Sequence, residues 1–340
     1  MSETILVTGG CGYIGSHTVV ELLQKGFKVI IIDNLCNSSS RVLQQIKQIV
    51  GEEVYSRLQY YEIDVLQVET IFLLYSIHAV IHFAALKAVG ESVKQPLMYY
   101  ENNITRTITL LQVMKKYNCS RFVFSSSATV YGNPEHIPVT ESSTLRVTNP
   151  YGRTKLMIEE ILQDVCASDP SWNVCILRYF NPIGAHRSGL IGENPLGLPN
   201  NIMPYIQQVA VGRLPQLTIF GKDYDTVDGT GVRDYIHVVD LALGHLSALQ
   251  YVSDDTHMGC NVFNLGTGKG YSVMELILMF ETISEQQISY QIGERRQGDI
   301  ACVYADTSKA ENELGWKAIH TLEDMCRDAW RWQKMYPNGL

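Results

Sequence analysis

The sequence has no Cys-x-x-Cys and no run of roughly 18 apolar residues long enough for a membrane helix. Its eight cysteines, at positions 11, 36, 119, 166, 175, 260, 302 and 326, are scattered without metal-ligand spacing. That argues against a zinc site or a disulfide framework and for free thiols in a reducing compartment. Residues 1–8 carry only Ile5, Leu6 and Val7 as an apolar run, neither a signal peptide nor an anchor, so a cytoplasmic location is expected. Positive charge is scarce: 27 Lys and Arg against 35 Asp and Glu leave a net charge of −8, which disfavours a bulk grip on nucleic acid or anionic membrane. Repeats, charge runs and low-complexity linkers are also missing, so any lobes should pack together rather than hang on a tether.

What the chain does have is 46% hydrophobic residues over 340 positions, enough for one large α/β unit with an added lobe, or two domains. Short β-branched runs at 4–8, 28–33, 58–63, 79–83, 121–125 and 174–178 read as strands. Helical stretches alternate with them at 14–24, 68–76, 104–117 and 151–166. The alternation predicts a doubly wound parallel sheet, a Rossmann fold, over residues 1–180. Beyond 180 Gly and Pro thicken and the alternation stops, predicting a smaller mixed α/β substrate lobe over 181–340, with about 235–265 packing back onto the first domain. Helices are expected there at 202–211, 238–252, 273–283 and 322–334, and strands at 217–220, 262–265 and 288–292.

Gly9, Gly12 and Gly15 follow the first strand at the head of the first helix. Glycines at this spacing allow a tight strand-to-helix turn, close approach of a pyrophosphate and close helix–sheet packing. The second strand ends in Asp33, 18 residues after Gly15, where a carboxylate can accept from both hydroxyls of an adenosine ribose and would repel a 2′-phosphate. NAD is therefore the expected cofactor, rather than NADP.

Tyr151 and Lys155 are four apart on an expected helix, so they share a face, and the cation can favour the phenolate that a general base needs. The fifth strand runs into Ser125-Ser126-Ser127, hydroxyls at a carboxyl strand end on the cofactor's face. His78 and His82 share a strand face without a third ligand, and Asp223, Asp225 and Asp228 lack the glutamate of a calcium loop, so neither group is read as a metal site.

The glycine triplet, Ser127 placed 24 residues before Tyr151, and Lys155 resemble the extended short-chain dehydrogenase/reductase family. The strings from Phe83 to Ser92, Ser125 to Gly132, Arg178 to Pro182 and Gly229 to His237 are similar to its branch that interconverts UDP-galactose and UDP-glucose, and they spread over nearly the whole chain. The resemblance implies a homodimer, formed through the helices around 104–117 and 151–166, and transient oxidation at C4 by tightly bound NAD, rotation of the 4-keto sugar and hydride return. It assigns Tyr151 as base, Ser127 as the partner of the sugar oxygen, and Lys155 as the group that lowers the tyrosine pKa and holds the nicotinamide ribose. Further cofactor contacts implied are Gly9, Gly12, Tyr13, Ile14, Gly15, the run Asp33, Asn34, Leu35, Cys36, Asn37 and Ser38, then Asp64, Val65, Phe83, Ala84, Lys87, Asn102, Ser125 and Phe180. Implied contacts to the UDP-hexose are Lys87, Ser127, Ala128, Thr129, Tyr179, Asn181, Asn201, Thr218, Phe220, Arg233, Arg296, Asp299 and Val303, the two guanidinium forks suiting the diphosphate. Val303 stands where the family controls pocket width, and its intermediate size predicts some turnover of UDP-N-acetylhexosamines.

A nucleotide-sugar 4,6-dehydratase shares the fold and the first oxidation, but its pattern puts an Asp-Glu pair where this chain has Ala128-Thr129, which cannot eliminate water. A dehydrogenase that releases NADH stays open on the motifs alone. A non-catalytic NAD-binding regulator is disfavoured by the presence of Ser127, Tyr151 and Lys155 together.

Overall fold

Apolar side chains on both faces of a strand demand cover on both sides, and the first six strands meet that demand with helices above and below. The computed structural model describes residues 3–296 and 299–340. Its main sheet contains β1 (Thr4–Thr8), β2 (Lys28–Asp33), β3 (Leu58–Glu62), β4 (Ala79–His82), β5 (Arg121–Ser125) and β6 (Asn173–Tyr179). The lobe contributes β7 (Asn181–Ile183), β8 (Leu217–Phe220), β9 (Val232–His237), β10 (Gly259–Leu265), β11 (Gly270–Ser272), β12 (Tyr290–Gly293) and β13 (Cys302–Val303). The main sheet is seven-stranded and runs β10-β6-β5-β4-β1-β2-β3, every pair parallel. Ile5, Leu6 and Val7 of β1 are wholly buried between two apolar layers, Ile5 and Val7 in one and Leu6 in the other.

The winding reverses between β1 and β4, so the carboxyl ends of these strands open a crevice at the switch point. The sequence suggests six strands in this sheet; the seventh is β10, whose run at 262–265 reads locally like any short lobe strand. The helix Val238–Ser253 leads into β10 and packs against the first helix, Tyr13–Gln24. In the lobe, β9 pairs with β7, β11 and β13, while β8 and β12 form a separate parallel pair.

Two helices differ from their sequence reading. The stretch at 68–76 forms only Glu69–Leu74, preceded by a 3-10 turn at Val65–Gln67 that Asp64 caps. The one at 104–117 begins as a π-helical segment, Tyr100–Thr105, and becomes α-helical at Arg106–Lys116. His78 precedes β4 rather than lying on it, and His82 is buried between the hydroxyls of Thr8 (2.7 Å) and Thr107 (3.0 Å), with burial lowering its pKa to about 3. Among the described residues no helix is long and apolar enough to cross a membrane, and no three His, Cys, Asp or Glu side chains gather as metal ligands.

Candidate active site

The glycine turn is shaped by what its residues cannot carry. Gly9 has φ +70°, and a Cβ there would stand 2.8 Å from the Ala84 amide nitrogen; a Cβ on Gly15 would stand 2.3 Å from the Gly9 carbonyl oxygen. Gly12 is the N-cap and offers no side chain, so the amides of Tyr13 and Ile14 at the helix start have no side-chain cap. This open cradle fits a pyrophosphate. Asp33 closes the turn from the next strand: Oδ2 accepts from the Cys11 amide (3.0 Å), and Oδ1 from the Leu35 amide (2.9 Å) and the Ser38 hydroxyl (2.7 Å). Leu35 is held at φ +57°, strain of about 1 kcal/mol or more that a chain retains where loop shape matters. The Cys36 amide bonds the Asn34 side chain (3.2 Å), so residues 34–38, Asn37 included, wrap one rim of the crevice.

On the same rim, Asp64 accepts from Asn34 (2.9 Å) and from the Arg106 Nε (2.9 and 3.0 Å), with Val65 buried beside it. Hydrogen bonds from Leu66, Asn34 and Arg106 outweigh burial and hold the Asp64 pKa below its ordinary value. Across the crevice, Phe83 packs on the His245 ring and the Ala84 amide bonds Thr8 Oγ1 (3.3 Å). Asn102 lies in the π-helical segment and donates to Asn103, whose buried side chain binds both Leu86 backbone groups and Thr154. Asn103 thereby fastens the loop after β4 to the helix that carries Tyr151.

That helix, Pro150–Ser168, starts sharply because Pro150 sits at its first position and Asn149 accepts from the Gly152 amide (2.8 Å). Tyr151, Lys155 and Glu159 then follow at intervals of four, and all three are buried. The Lys155 ammonium donates to the Ser125 carbonyl (2.7 Å) and lies 5.9 Å from the centre of the Tyr151 ring. Burial lowers the Lys155 pKa to about 7, with Glu159 pulling it back up. Burial pushes Tyr151 up to about 12, the Ser127 hydroxyl beside it acting in the opposite direction. In the protein chain alone, then, burial outweighs any help from the Lys155 charge.

Ser127 caps the 3-10 turn Ala128–Tyr131 and accepts from the Thr129 amide (3.2 Å); the Thr129 hydroxyl is buried without a partner among the described residues. The Tyr179 hydroxyl meets Ser125 Oγ at 2.5 Å, which ties Tyr179 to the end of β5. Behind the helix, Glu159 takes a forked contact from Arg178 (3.1, 3.1 and 2.6 Å) and a bond from Ser126, with both charges almost wholly buried.

The lobe residues form two groups. Val303 pairs with Arg233 across β13 and β9 and shares an apolar cluster with Phe180, Val130 and Tyr131, against which Ala128 packs. Buried Asp234 fixes this register by accepting from Thr267, Gly268 and Ala305. Asn181 is exposed on β7, and Arg233 Nη1 bonds the Val232 carbonyl (2.8 Å). The second group is the more open β8–β12 rim, where Arg296 stacks 4.6 Å over the Phe220 ring and bonds Asp299 (3.0 Å), and Thr218 accepts from Gln291. Asn201 precedes the helix Ile202–Ala210 and bonds Glu193, which also takes the Lys87 ammonium. The sequence reading gave no role to Asn103, Glu159, Asp234 or Glu193.

The family described as GDP-mannose 4,6 dehydratase matches residues 6–329. A UDP-glucose 4-epimerase of Dictyostelium discoideum is 56% identical over 100% of this chain and 98% of its own length. The chain belongs to the UDP-glucose 4-epimerase family, within the extended short-chain dehydrogenases/reductases. The Bacillus subtilis member of this family is also 56% identical, over 98% of both chains. The crystal structure of the Bifidobacterium longum member, in complex with NAD+ and UDP, superposes with a TM-score of 0.95 at 52% identity and covers 99% of this chain and all of that one.

Proposed function

We propose that this protein interconverts UDP-galactose and UDP-glucose, and that Tyr151, Ser127 and Lys155 carry the chemistry. The observation that carries the reading is one buried helix face presenting Tyr151 and Lys155 beside Ser127, which follows β5 at the same carboxyl edge of the sheet where β1 runs into the glycine cradle. NAD fits that cradle and, when bound, supplies the reversible hydride acceptor at C4 of the sugar. Tyr151 takes the proton of the 4-hydroxyl and returns it, since its hydroxyl is the buried acid/base group beside Ser127. Ser127 orients the sugar oxygen, and Lys155, aimed by the Ser125 carbonyl, holds the nicotinamide ribose and adds positive charge near the phenolate. The loop after the serine holds Ala128 and Thr129 and no carboxylate, so elimination of water has no acid/base pair there.

Residues 1–180 serve the cofactor and the later segments close over the nucleotide sugar, with Arg233 and Arg296 at the diphosphate and Thr218 and Phe220 at the base. Val303 as pocket wall supports slower turnover of UDP-N-acetylglucosamine as a second activity. The subunits pair as a homodimer in the cytoplasm, which suits the exposed Val93, Leu97, Ile108 and Met157 on the helices around 89–168. The test is purified protein given UDP-galactose without added NAD. UDP-glucose formed without net reduced-nicotinamide absorbance is expected, and stoichiometric NADH or a stable keto sugar would overturn the proposal.

A further inference from the structure

Glu193 sits in the long connection between β7 and the helix Ile202–Ala210, where no periodic pattern asks for a buried charge. Its position is nonetheless fixed. Ile191 is fully buried, and Gly192 pairs with Ala185 and lies so close to Trp332 that a Cβ there would stand 2.4 Å from the indole. The carboxylate that follows is only 8% exposed. One oxygen, Oε1, accepts from the Lys87 ammonium at 3.2 Å and from the Asn201 amide at 2.6 Å, while Oε2 has no partner among the described residues. Lys87 belongs to the loop after β4 on the cofactor's side of the crevice, and Asn201 heads a lobe helix. A buried carboxylate is costly, and here a single oxygen of it spans the two halves of the site.

We propose that Glu193 is a positioning residue that sets Lys87 and Asn201 at a fixed separation, so that the cofactor contact and the nucleotide-sugar contact are held by one group. The proposal rests on the reading of Lys87 and Asn201 as ligand contacts. Removing the carboxylate should therefore loosen both ligands at once. Both ends of the arrangement reach the surface, and Lys87, whose side chain is 55% exposed, has no other acidic partner among the described residues to hold it.

The test uses the cofactor-loaded enzyme and reads two quantities besides turnover: the rate at which bound NAD is lost on dilution, and the affinity for UDP by calorimetry. Glu193→Ala should speed cofactor loss and weaken UDP binding, each by roughly tenfold, the usual worth of a charge-assisted hydrogen bond. Glu193→Gln should separate the two, weakening UDP binding less than Glu193→Ala does because its carbonyl still accepts from Asn201, while cofactor loss stays as fast as in Glu193→Ala because Lys87 has lost its counter-charge. Adding Glu193→Ala to Asn201→Ala should weaken UDP binding by less than Glu193→Ala does alone, since the part carried by Asn201 is already lost. A merely structural carboxylate would lower the melting temperature and the active fraction of Glu193→Ala and Glu193→Gln alike, with both ligand constants of the folded protein unchanged, and that outcome overturns the proposal. Wild-type binding constants in Lys87→Ala and Asn201→Ala would overturn their contact roles and the proposal with them; impaired Lys87→Ala and Asn201→Ala beside unaffected Glu193 variants would overturn the proposal alone.

Discussion

Replacing Lys155 by methionine tests the electrostatics of the site without any substrate. The ammonium is buried against the Phe124 and Tyr151 rings with one carbonyl acceptor, Ser125, and burial brings its pKa from 10.5 to about 7. The unfolded chain keeps this proton until about pH 10.5, whereas the native chain gives it up near pH 7. Between those values the unfolded state binds more protons, so stability must rise with pH. Below about pH 7 the full cost of the buried charge is present, and roughly 2 kcal/mol of it is relieved between about pH 7 and pH 9. Lys155→Met lacks the titrating group but keeps the unbranched chain that packs on the two rings. Loss of the bond to Ser125 adds a cost that does not vary with pH. Urea denaturation of the cofactor-free wild type and variant, at several pH values across that interval, should give a wild-type-minus-variant difference that climbs by about 2 kcal/mol. Parallel curves, with the difference constant to about 0.5 kcal/mol, would mean that Lys155 is solvated or charge-compensated and that the burial argument is wrong.

Tyr151→Phe should keep the fold and bound cofactor yet lose about 10²–10⁴ of turnover with UDP-galactose; near-normal turnover would remove Tyr151 from the base role. Glu159→Gln leaves the Arg178 charge buried without a counter-ion and should cost about 3–5 kcal/mol in urea denaturation, whereas a cost below about 1 kcal/mol would mean that water reaches the pair. Val303→Tyr should cut the ratio of N-acetylglucosamine to galactose substrate turnover by about tenfold or more, and an unchanged ratio would remove Val303 from the pocket wall. Leu97, 80% exposed, becomes a charge in Leu97→Glu; sedimentation should then show monomer where the unaltered protein shows dimer, and an unaltered protein that sediments as monomer refutes the interface.

The inner strands of the main sheet were legible because they are apolar on both faces, and the pair Tyr151 and Lys155 because four-residue spacing on a helix has a direct geometric meaning. The same spacing continues to Glu159, but a carboxylate in mid-helix reads as solvent-facing until Arg178, from a neighbouring strand, is known to meet it. Asp234 and Glu193 were hidden for a related reason: their partners lie far along the chain, at 267, 268 and 305 for one and at 87 for the other. The Val303 strand is two residues long, too short for a pattern, and exists only through its pairing with β9. The strand read at 79–83 starts where β4 does, at Ala79, so His78 lies one residue outside it and only His82 is on the strand.

The placement of β10 at the edge of the main sheet has a mechanical consequence. The chain leaves the first half after Phe180, returns at Val238, completes the sheet with Gly259–Leu265 and leaves again, so the two halves are stitched together rather than hinged at one strap. A cut near residue 181 would release no self-sufficient N-terminal piece, because β6 would lose the strand paired along its whole length and the sheet would lose the Val238–Ser253 helix that covers it. The crevice between the two halves thus has a width set by continuous backbone on several sides, and wide opening of the molecule would require breaking sheet hydrogen bonds rather than bending a loop.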